Sequence, residues 1–406
     1  MLTSRSVTIP SGCIGTIAGN GEPGHAGDNG PAVEACLNEP KSLVLFGDNV
    51  LYVADAENHV IRKVDLASGL ITTVSGRPEQ GHVGGGAPAR DQAPAGEEDP
   101  FADPPSGKNE KFVQQSDLSG TVRYMVGAAK TGRFAGDGGP ATEALLNFPG
   151  AVAVDRPGNL YIADTMNHRV RKVDATTGVI TTIAGTGQHR WSGDGGPATE
   201  AALNEPAALV VDDRGNLYIA DQSNNRVRKV DLNSGLITTV AGTGETGYTG
   251  DGMPAAEAGI SGPSGLAIGP EGELYIADTF SGRIRRIDPA TGLVSTVVGD
   301  GGEYRFSGMP NEFSTSLSRP YGIALDRAGN ILITDSDSHL IRRWNRKKKI
   351  ITRLAGSGQA GFDGDGGDPL AGSLNYPFGV VVDGSGNVYI ADTFNHRIRM
   401  IAAQGP

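Results

Sequence analysis

The chain has few cysteines, few aromatic residues, no excess of positive charge and no long apolar run. Its only cysteines are Cys13 and Cys36, so a disulfide scaffold is not expected, although one bridge between them stays open. The net charge of -11 argues against nucleic acid as a partner, since binding nucleic acid needs a basic surface. No apolar run could span a bilayer, and residues 1–7 lack the apolar core of a signal peptide. These absences predict a soluble, cytoplasmic protein with no membrane partner.

Glycine is abundant instead, with 61 residues among 406, which indicates many tight turns because glycine adopts positive φ without strain. The turns belong to an internal repeat. Its clearest string runs from Asn159 to Asp164 (NLYIAD). Related strings end at Asp55, Asp164, Asp221, Asp278, Asp335 and Asp392, and from Asp164 onward the spacing is 57 residues. A fixed period of this kind predicts a repeat architecture, with residues 1–406 as a single domain.

Each intact unit contains four short apolar runs separated by turn residues. In one unit they are 151–154, 160–163, 170–173 and 180–183. Short runs rich in Val, Ile and Tyr are typical of strands, and four antiparallel strands repeated radially form a propeller blade. The sequence begins with a segment that matches the fourth strand of a unit, and it ends after a segment that matches the third strand. The fold class is therefore predicted as all-β, a closed β-propeller in which the N-terminal strand, residues 13–19, completes the last blade.

The number of blades depends on one damaged unit. Asp55 and Asp164 are 109 residues apart, which is almost two periods. Residues 77–123 keep the ends of a repeat, whereas their middle is rich in proline, glycine and charge. Counting this segment as a degenerate second repeat predicts seven blades. Six blades is the alternative, if the segment forms no sheet.

The turns after the second strands carry a recurrent Asn-His pair. The strings 164–169 (DTMNHR) and 392–397 (DTFNHR) resemble the NHL repeat family. The Gly-Asp-Gly-Gly-Pro-Ala string between blades is similar to the long-repeat bacterial form of that family. The resemblance implies a β-propeller. It does not choose a function, because similar propellers include protein- and RNA-binding modules as well as lyases and paraoxonase-type enzymes.

Residues that recur from unit to unit are interpreted as structural. These are the histidines of the Asn-His turns and linkers, and the aspartates of the Gly-Asp-Gly-Gly strings: His25, His59, His82, His168, His189, His339, His396, Asp28, Asp137, Asp194, Asp251 and Asp365. Copies that stand apart around a ring do not converge on one ion. We therefore predict no cofactor and no metal site, with a divalent metal at the channel mouth as the weaker alternative.

Residues that differ between units are the candidates for function. One set follows the proline that leads into each innermost strand, and it includes Lys41, Tyr321 and Phe378. A second set lies in the adjacent turns. The third set consists of one residue in each linker whose side chain is an aromatic or imidazole ring. The predicted ligand-binding residues are Lys41, Glu57, Phe280, Tyr321, Asp337, Phe378, Phe394 and Trp191. Mostly apolar walls with a few polar groups suit a small molecule.

Three hypotheses of function follow. The first is a binding propeller that recognises a small molecule or peptide at the top face and channel mouth. The second is a lyase or hydrolase at the same mouth, with Lys41, Glu57 and Asp337 as catalytic candidates because buried ionisable groups can do acid–base work. The third is a scaffold for a protein partner.

Overall fold

The computed structural model describes residues 7–78, 134–302 and 316–404. These residues form six antiparallel sheets, one per blade. The chain first forms β1 (Ile14–Ala18) and the two-residue β2 (Gly30–Pro31). Blade 1 consists of β3 (Pro40–Phe46), β4 (Val50–Asp55), β5 (Val60–Asp65) and β6 (Leu70–Ser75). Blade 2 consists of β7 (Pro149–Val154), β8 (Leu160–Asp164), β9 (Arg169–Val173) and β10 (Ile180–Ala184). Blade 3 consists of β11 (Pro206–Val211), β12 (Asn216–Asp221), β13 (Arg226–Asp231) and β14 (Ile237–Ala241).

Blades 4 and 5 repeat this four-stranded order, and blade 6 takes its outer strand from the N-terminus. Their strands are β15 (Pro263–Ile268), β16 (Leu274–Asp278), β17 (Arg283–Ile287), β18 (Val294–Val298); β19 (Pro320–Leu325), β20 (Ile331–Asp335), β21 (Leu340–Asn345), β22 (Ile350–Ala355); β23 (Pro377–Val382), β24 (Val388–Asp392), β25 (Arg397–Ile401). β1 pairs antiparallel with β25, with Ile14 opposite Ile401. The two ends of the described chain therefore share one sheet.

The helical elements in the described residues are single 3-10 turns of two kinds. Those after the second strands are Ala56–Asn58, Thr165–Asn167, Gln222–Asn224, Thr279–Ser281, Ser336–Ser338 and Thr393–Asn395. Those in the linkers are Ala32–Glu34, Ala141–Glu143, Ala198–Glu200 and Ala255–Glu257. We call the face that carries the first kind the top face.

The innermost strands close a ring of six. β3 lies beside β7, and the ring continues through β11, β15, β19 and β23 back to β3. After β6, the N–H of Gly76 donates to the Ala141 carbonyl (2.9 Å), as the N–H of Gly185 does to the Ala198 carbonyl (3.0 Å). Blade 1 therefore contacts the linker of blade 2 directly, which leaves no gap for another sheet in the ring. The prediction of seven blades is corrected to its six-blade alternative. Most of the predicted degenerate repeat, 77–123, lies outside the described residues.

The hydrophobic core lies between the blades. One cluster joins Tyr161 and Ala163 of blade 2 to Leu209, Leu217 and Ile219 of blade 3, and comparable clusters fill the other junctions. First and second strands that are apolar on both faces are expected where sheets stack face to face. Burial of this surface, at about 25 cal/mol per Å², holds the blades together.

A buried arginine–aspartate pair fixes the top of each blade. In blade 3, Arg228 has a fully buried side chain and contacts Asp221, also fully buried, at 3.4 Å and Asp194 at 2.7 Å. The equivalent arginines are Arg62, Arg171, Arg285, Arg342 and Arg399. The Gly-Asp-Gly-Gly aspartates therefore bind a buried arginine, and the linker is tied to the blade below it.

Candidate functional site

The innermost strands surround a central cavity of about 1210 Å³ that opens on the top face. Its deeper walls are apolar and come from the same positions of each inner strand, for example Leu43, Val152, Leu209, Leu266 and Ile323. Its mouth is lined by the residues that differ between repeats. A concave, mostly apolar site with a few polar groups at the opening is typical of small-molecule binding.

Three positions per blade form the mouth. The residue after each inner-strand proline is Lys41, Gly150, Ala207, Ser264, Tyr321 or Phe378. The second residue of the 3-10 turn is Glu57, Met166, Ser223, Phe280, Asp337 or Phe394. The residue before the proline is Glu39, Phe148, Glu205, Gly262, Arg319 or Tyr376. Sequence reasoning missed the third set, although these residues differ between repeats just as the other two sets do.

Lys41 is the centre of the mouth's most elaborate cluster. Its ammonium lies 4.4 Å from the Phe378 ring centroid, 5.2 Å from that of Phe148 and 5.7 Å from that of Phe394. Its Nζ also lies 3.2 Å from Oε2 of Glu39, and the lysine side chain is only 14% exposed. Three aromatic faces and one carboxylate therefore stabilise the ammonium where little water reaches it.

The electrostatics of the cluster depend on Glu57. Burial raises the pKa of Glu57 to about 7, the nearby Glu39 carboxylate adds to the rise, and Lys41 opposes it. Burial lowers the pKa of Lys41, while Glu39 and Glu57 oppose that shift. Glu57 is therefore the mouth group that changes charge near neutral pH, and its carboxyl can hold or release a proton there.

The predicted second carboxylate of the mouth, Asp337, is paired. Its Oδ2 lies 3.2 Å from Nε of Arg319, one of the residues that sequence reasoning missed. Tyr321 follows in the same blade and packs on Phe378, with ring centroids 4.4 Å apart. Burial raises the pKa of Tyr321, so its hydroxyl stays protonated and can donate a hydrogen bond.

An aromatic wall covers one side of the mouth. The rings of Tyr376 and Phe394 are 5.2 Å apart, and those of Phe378 and Phe394 are 6.1 Å apart in an edge-to-face arrangement. Together with Tyr321 and Phe148 they come from blades 5, 6 and 2, and Lys41 of blade 1 lies between Phe378 and Phe148. Such rings supply large apolar area with defined geometry, so this side suits the flat or apolar part of a ligand.

The opposite side, in blades 3 and 4, is smaller and more polar. Gln222 donates to Oγ of Ser264 at 2.6 Å, and the Ser223 hydroxyl donates to Glu205 at 2.5 Å. Phe280 lies over Gly262, where any side chain would clash with its ring. This side therefore offers hydrogen-bonding groups across from the aromatic wall.

The structure places the predicted ligand-binding residues in three groups. Lys41, Phe280, Tyr321 and Phe378 line the cavity itself. Glu57, Phe394 and Asp337 flank these residues at the mouth. Trp191 is elsewhere, because it stacks on the guanidinium of Arg226 at 4.2 Å. Other linker rings do the same: Phe134, Tyr248 and Phe362 stack on Arg169, Arg283 and Arg397.

The histidines of the Asn-His turns bond to backbone. His59, His168, His339 and His396 each adopt φ between 52° and 58° at the end of the 3-10 turn and accept a backbone N–H of the next blade. Over the described ranges, no group of three or more His, Cys, Asp or Glu side chains is placed to hold a metal ion. The channel mouth thus offers Lys41 and carboxylates, and its histidines are engaged in the fold.

Comparison with known proteins identifies the repeat. The model of the teneurin NHL domain matches residues 129–192 and 187–248, and the NHL repeat model matches residues 374–399. The chain therefore carries NHL repeats. This confirms the family expected from the DTMNHR and DTFNHR strings.

Curated relatives of this NHL-repeat chain are longer proteins. SUPPRESSOR OF QUENCHING 1 of Arabidopsis thaliana is 30% identical over 275 residues, which cover 65% of this chain and 26% of the relative. NHL repeat-containing protein 2 of Bos taurus is 28% identical over 312 residues, covering 70% of this chain and 42% of the relative. The chain therefore spans less than half the length of these relatives.

Solved structures support the propeller fold. An auxiliary nutrient binding protein from Bacteroides thetaiotaomicron has a TM-score of 0.60 at 16% identity, covering 97% of this chain and 76% of that one. A gluconolactonase from Xanthomonas campestris has a TM-score of 0.50 at 12% identity, covering 90% and 86%. At these identities the likeness shows the fold alone. In the described ranges, no helix is long and apolar enough to cross a membrane.

Proposed function

We propose that this NHL-repeat propeller binds a small molecule at the channel mouth, with an apolar or flat part of the ligand against the aromatic wall. The observation that carries the proposal is the asymmetry of the mouth. Tyr321, Phe378 and Lys41 occupy neighbouring blades, whereas the same position across the ring holds Gly150 and Ala207. A repeat scaffold alone would place equivalent side chains all round.

The ligand class follows from the two sides of the mouth. The apolar channel below Phe378 accepts an aliphatic or aromatic body. Gln222, Ser264 and Glu205 can bond hydroxyl, amide or amine groups on the far side. The ammonium of Lys41 retains donors beyond the one that faces Glu39, and these suit a carbonyl or carboxylate oxygen. We therefore favour an amphipathic ligand with a polar head at the mouth.

The test begins with a fragment set of aromatic and aliphatic acids, amides and sugars, screened by thermal shift. The best compound is then titrated by calorimetry against wild type, Phe378→Ala and Tyr321→Ala. Loss of an aromatic contact should weaken binding by about 1–3 kcal/mol, or five- to 150-fold. Phe362→Ala is the matched control, because Phe362 is an exposed aromatic that stacks on Arg397 outside the cavity. Equal affinity in all four proteins would refute the proposal.

An enzyme is the second candidate, favoured by one observation. Glu57, with a pKa of about 7, neighbours Lys41 at the edge of a cavity large enough for a substrate. A carboxyl that titrates near neutral pH can act as a general acid or base. A lactone and ester panel tests this: Glu57→Gln that binds a substrate normally but turns it over at least a hundredfold more slowly would support catalysis. Absence of turnover by wild type across the panel would count against it.

A further inference from the structure

Four histidines form one kind of bond between neighbouring blades. Nδ1 of His59 accepts the backbone N–H of Phe148 at 2.9 Å. The other three bonds are 3.2 Å long and join His168 to Glu205, His339 to Tyr376 and His396 to Glu39. We call these contacts the histidine latches. Every residue that a latch holds is the pre-proline residue of the mouth, so the latches set the backbone from which mouth side chains project.

The residues held by the latches have an unfavourable backbone conformation. Glu39, Phe148, Glu205 and Tyr376 have φ of 50°, 52°, 53° and 47°. This left-handed region costs a residue with a side chain roughly 1–2 kcal/mol. The latch bond is therefore one of the contacts that keep each of these residues in place.

Each latch requires an unprotonated Nδ1. A neutral imidazole can accept at Nδ1 only when its proton is on Nε2, and an imidazolium has no acceptor at all. Protonation of His396 would set an N–H against the N–H of Glu39. The bond would be lost and the two donors would repel each other.

The same chain contains a latch that cannot titrate. Between blades 3 and 4, Asn225 takes the place of the histidine, and its Oδ1 accepts the N–H of Gly262 at 2.9 Å. Asn225 has φ of 51°, close to the φ of 52° at His168 and His396. Asparagine therefore makes this bond in this turn without any dependence on pH.

The surroundings favour the neutral form at three latches. Burial lowers the pKa of His339. Burial also lowers the pKa of His396 from its ordinary 6.5; Glu39 and Glu22 oppose this shift and Arg397 adds to it. Burial likewise lowers the pKa of His168, with Glu205 opposing and His189 and Arg169 adding to the shift.

We propose that the histidine latches are positioning residues for the channel mouth, and that their protonation releases Glu39, Glu205 and Tyr376 and weakens ligand binding there. The link to binding rests on the proposed function. The direction follows from linkage: the folded protein keeps these histidines neutral while the unfolded chain takes up protons below pH 6.5. The latches are complete above pH 6.5, and they are lost as the pH falls through the lower pKa values that these histidines have in the folded protein.

Hydrogen exchange at single amides tests the latch without any ligand. The full chain is compared at about pH 8 and about pH 4.5, well below the ordinary histidine pKa of about 6.5 because burial lowers the pKa of these histidines, after correction for intrinsic exchange. Protection of the Glu39 amide should fall two- to tenfold on acidification, the range for one hydrogen bond. Protection of the Gly262 amide, held by Asn225, should not change. Equal behaviour of the two amides would overturn the proposal.

His396→Asn is the matched variant, because Asn225 shows that asparagine makes the bond. It should keep the Glu39 amide protected at both pH values, whereas His396→Ala should leave it exchanging faster at both. An unaltered pH dependence in His396→Asn would mean that another group controls this amide, which would contradict the proposal.

The link to binding is measured with the dye anilinonaphthalene sulfonate as an apolar probe, in a Glu57→Gln background that removes the other titrating mouth group. Dye affinity should fall at least twofold on acidification, and less in His396→Asn. If the amide results hold but dye affinity changes equally in both proteins, the latch stands and its coupling to the mouth is refuted. If Phe378→Ala binds the dye as well as its parent, the proposed site is refuted instead.

Discussion

Replacement of Arg228 by methionine should destabilise the protein strongly. Its guanidinium contacts Asp194 at 2.7 Å and Asp221 at 3.4 Å, and it donates to the carbonyls of Ala202 and Ser192 at 3.3 and 3.1 Å. Methionine fills similar space but supplies none of these bonds. The buried Asp221 carboxylate would lose its counter-ion, and such a loss costs about 3–5 kcal/mol.

The expected shift in melting temperature follows from the size of the chain. With an unfolding entropy of about 2.1 cal/mol/K per residue over 406 residues, this loss corresponds to about 4–6 °C. Circular dichroism melts of wild type and Arg228→Met provide the measurement. Lys229→Met is the control, since it removes a cation from the next residue of the same strand without touching the buried pair. It should melt within about 1 °C of wild type.

The pH dependence supplies a second check on the same variant. Burial already raises the pKa of Asp221 to about 6, although Arg228, Asn224 and the N–H of Asn204 oppose the rise. Without Arg228 the pKa rises further, so the folded variant holds a proton that the unfolded chain releases. Lower pH then favours the folded state. The difference in melting temperature between wild type and Arg228→Met should therefore be smaller at pH 5 than at pH 7. A deficit below about 1 °C at pH 7 would refute the structural role given to this arginine.

Three further outcomes are expected. Gly242→Ala should cost about 1–3 kcal/mol more than Gly235→Ala in chemical unfolding. Both glycines have positive φ, but only at Gly242 would a Cβ clash, with the backbone oxygen of Asn225; equal costs would contradict this. Glu273→Gln should lower stability by about 1–3 kcal/mol, because the fully buried Glu273 pairs with Arg346 of the next blade at 3.2 Å; an unchanged unfolding midpoint would be incompatible with that pair. Burial raises the pKa of three carboxyls, those of Glu57, Asp335 and Asp392, to about 7. The infrared carboxyl band that titrates near pH 7 should therefore lose part of its amplitude in Glu57→Gln; an unchanged amplitude would show that Glu57 does not titrate there.

Much of the fold was predictable because its periodicity is carried by local sequence. The spacing of Asp164, Asp221 and Asp278 locates the second strands, and the turns after them begin at the next residue. The blade count was not predictable in the same way. It depends on whether Gly76 bonds to Ala141, a contact across 65 positions that the repeat pattern does not encode.

The candidate site was predictable in part. Differences between repeats located Lys41, Tyr321 and Phe378, because the proline fixes where each inner strand begins. The same logic did not extend to Arg319, which neutralises Asp337. The same logic wrongly placed Trp191 in the site, whereas its ring lies in a linker and stacks on Arg226. Sequence spacing gives position along the chain, whereas pairing partners depend on how blades meet.

The binding site is tested directly by a structure determined after crystals are soaked with the best compound from the fragment screen. We expect the compound to lie in the mouth against Phe378 and Tyr321, with a polar group near Lys41, and Phe378→Ala crystals treated identically to be empty there. A compound bound at the linker rings beside Trp191 or Phe362, or bound unchanged in Phe378→Ala, would contradict the assignment of the channel mouth as the binding site.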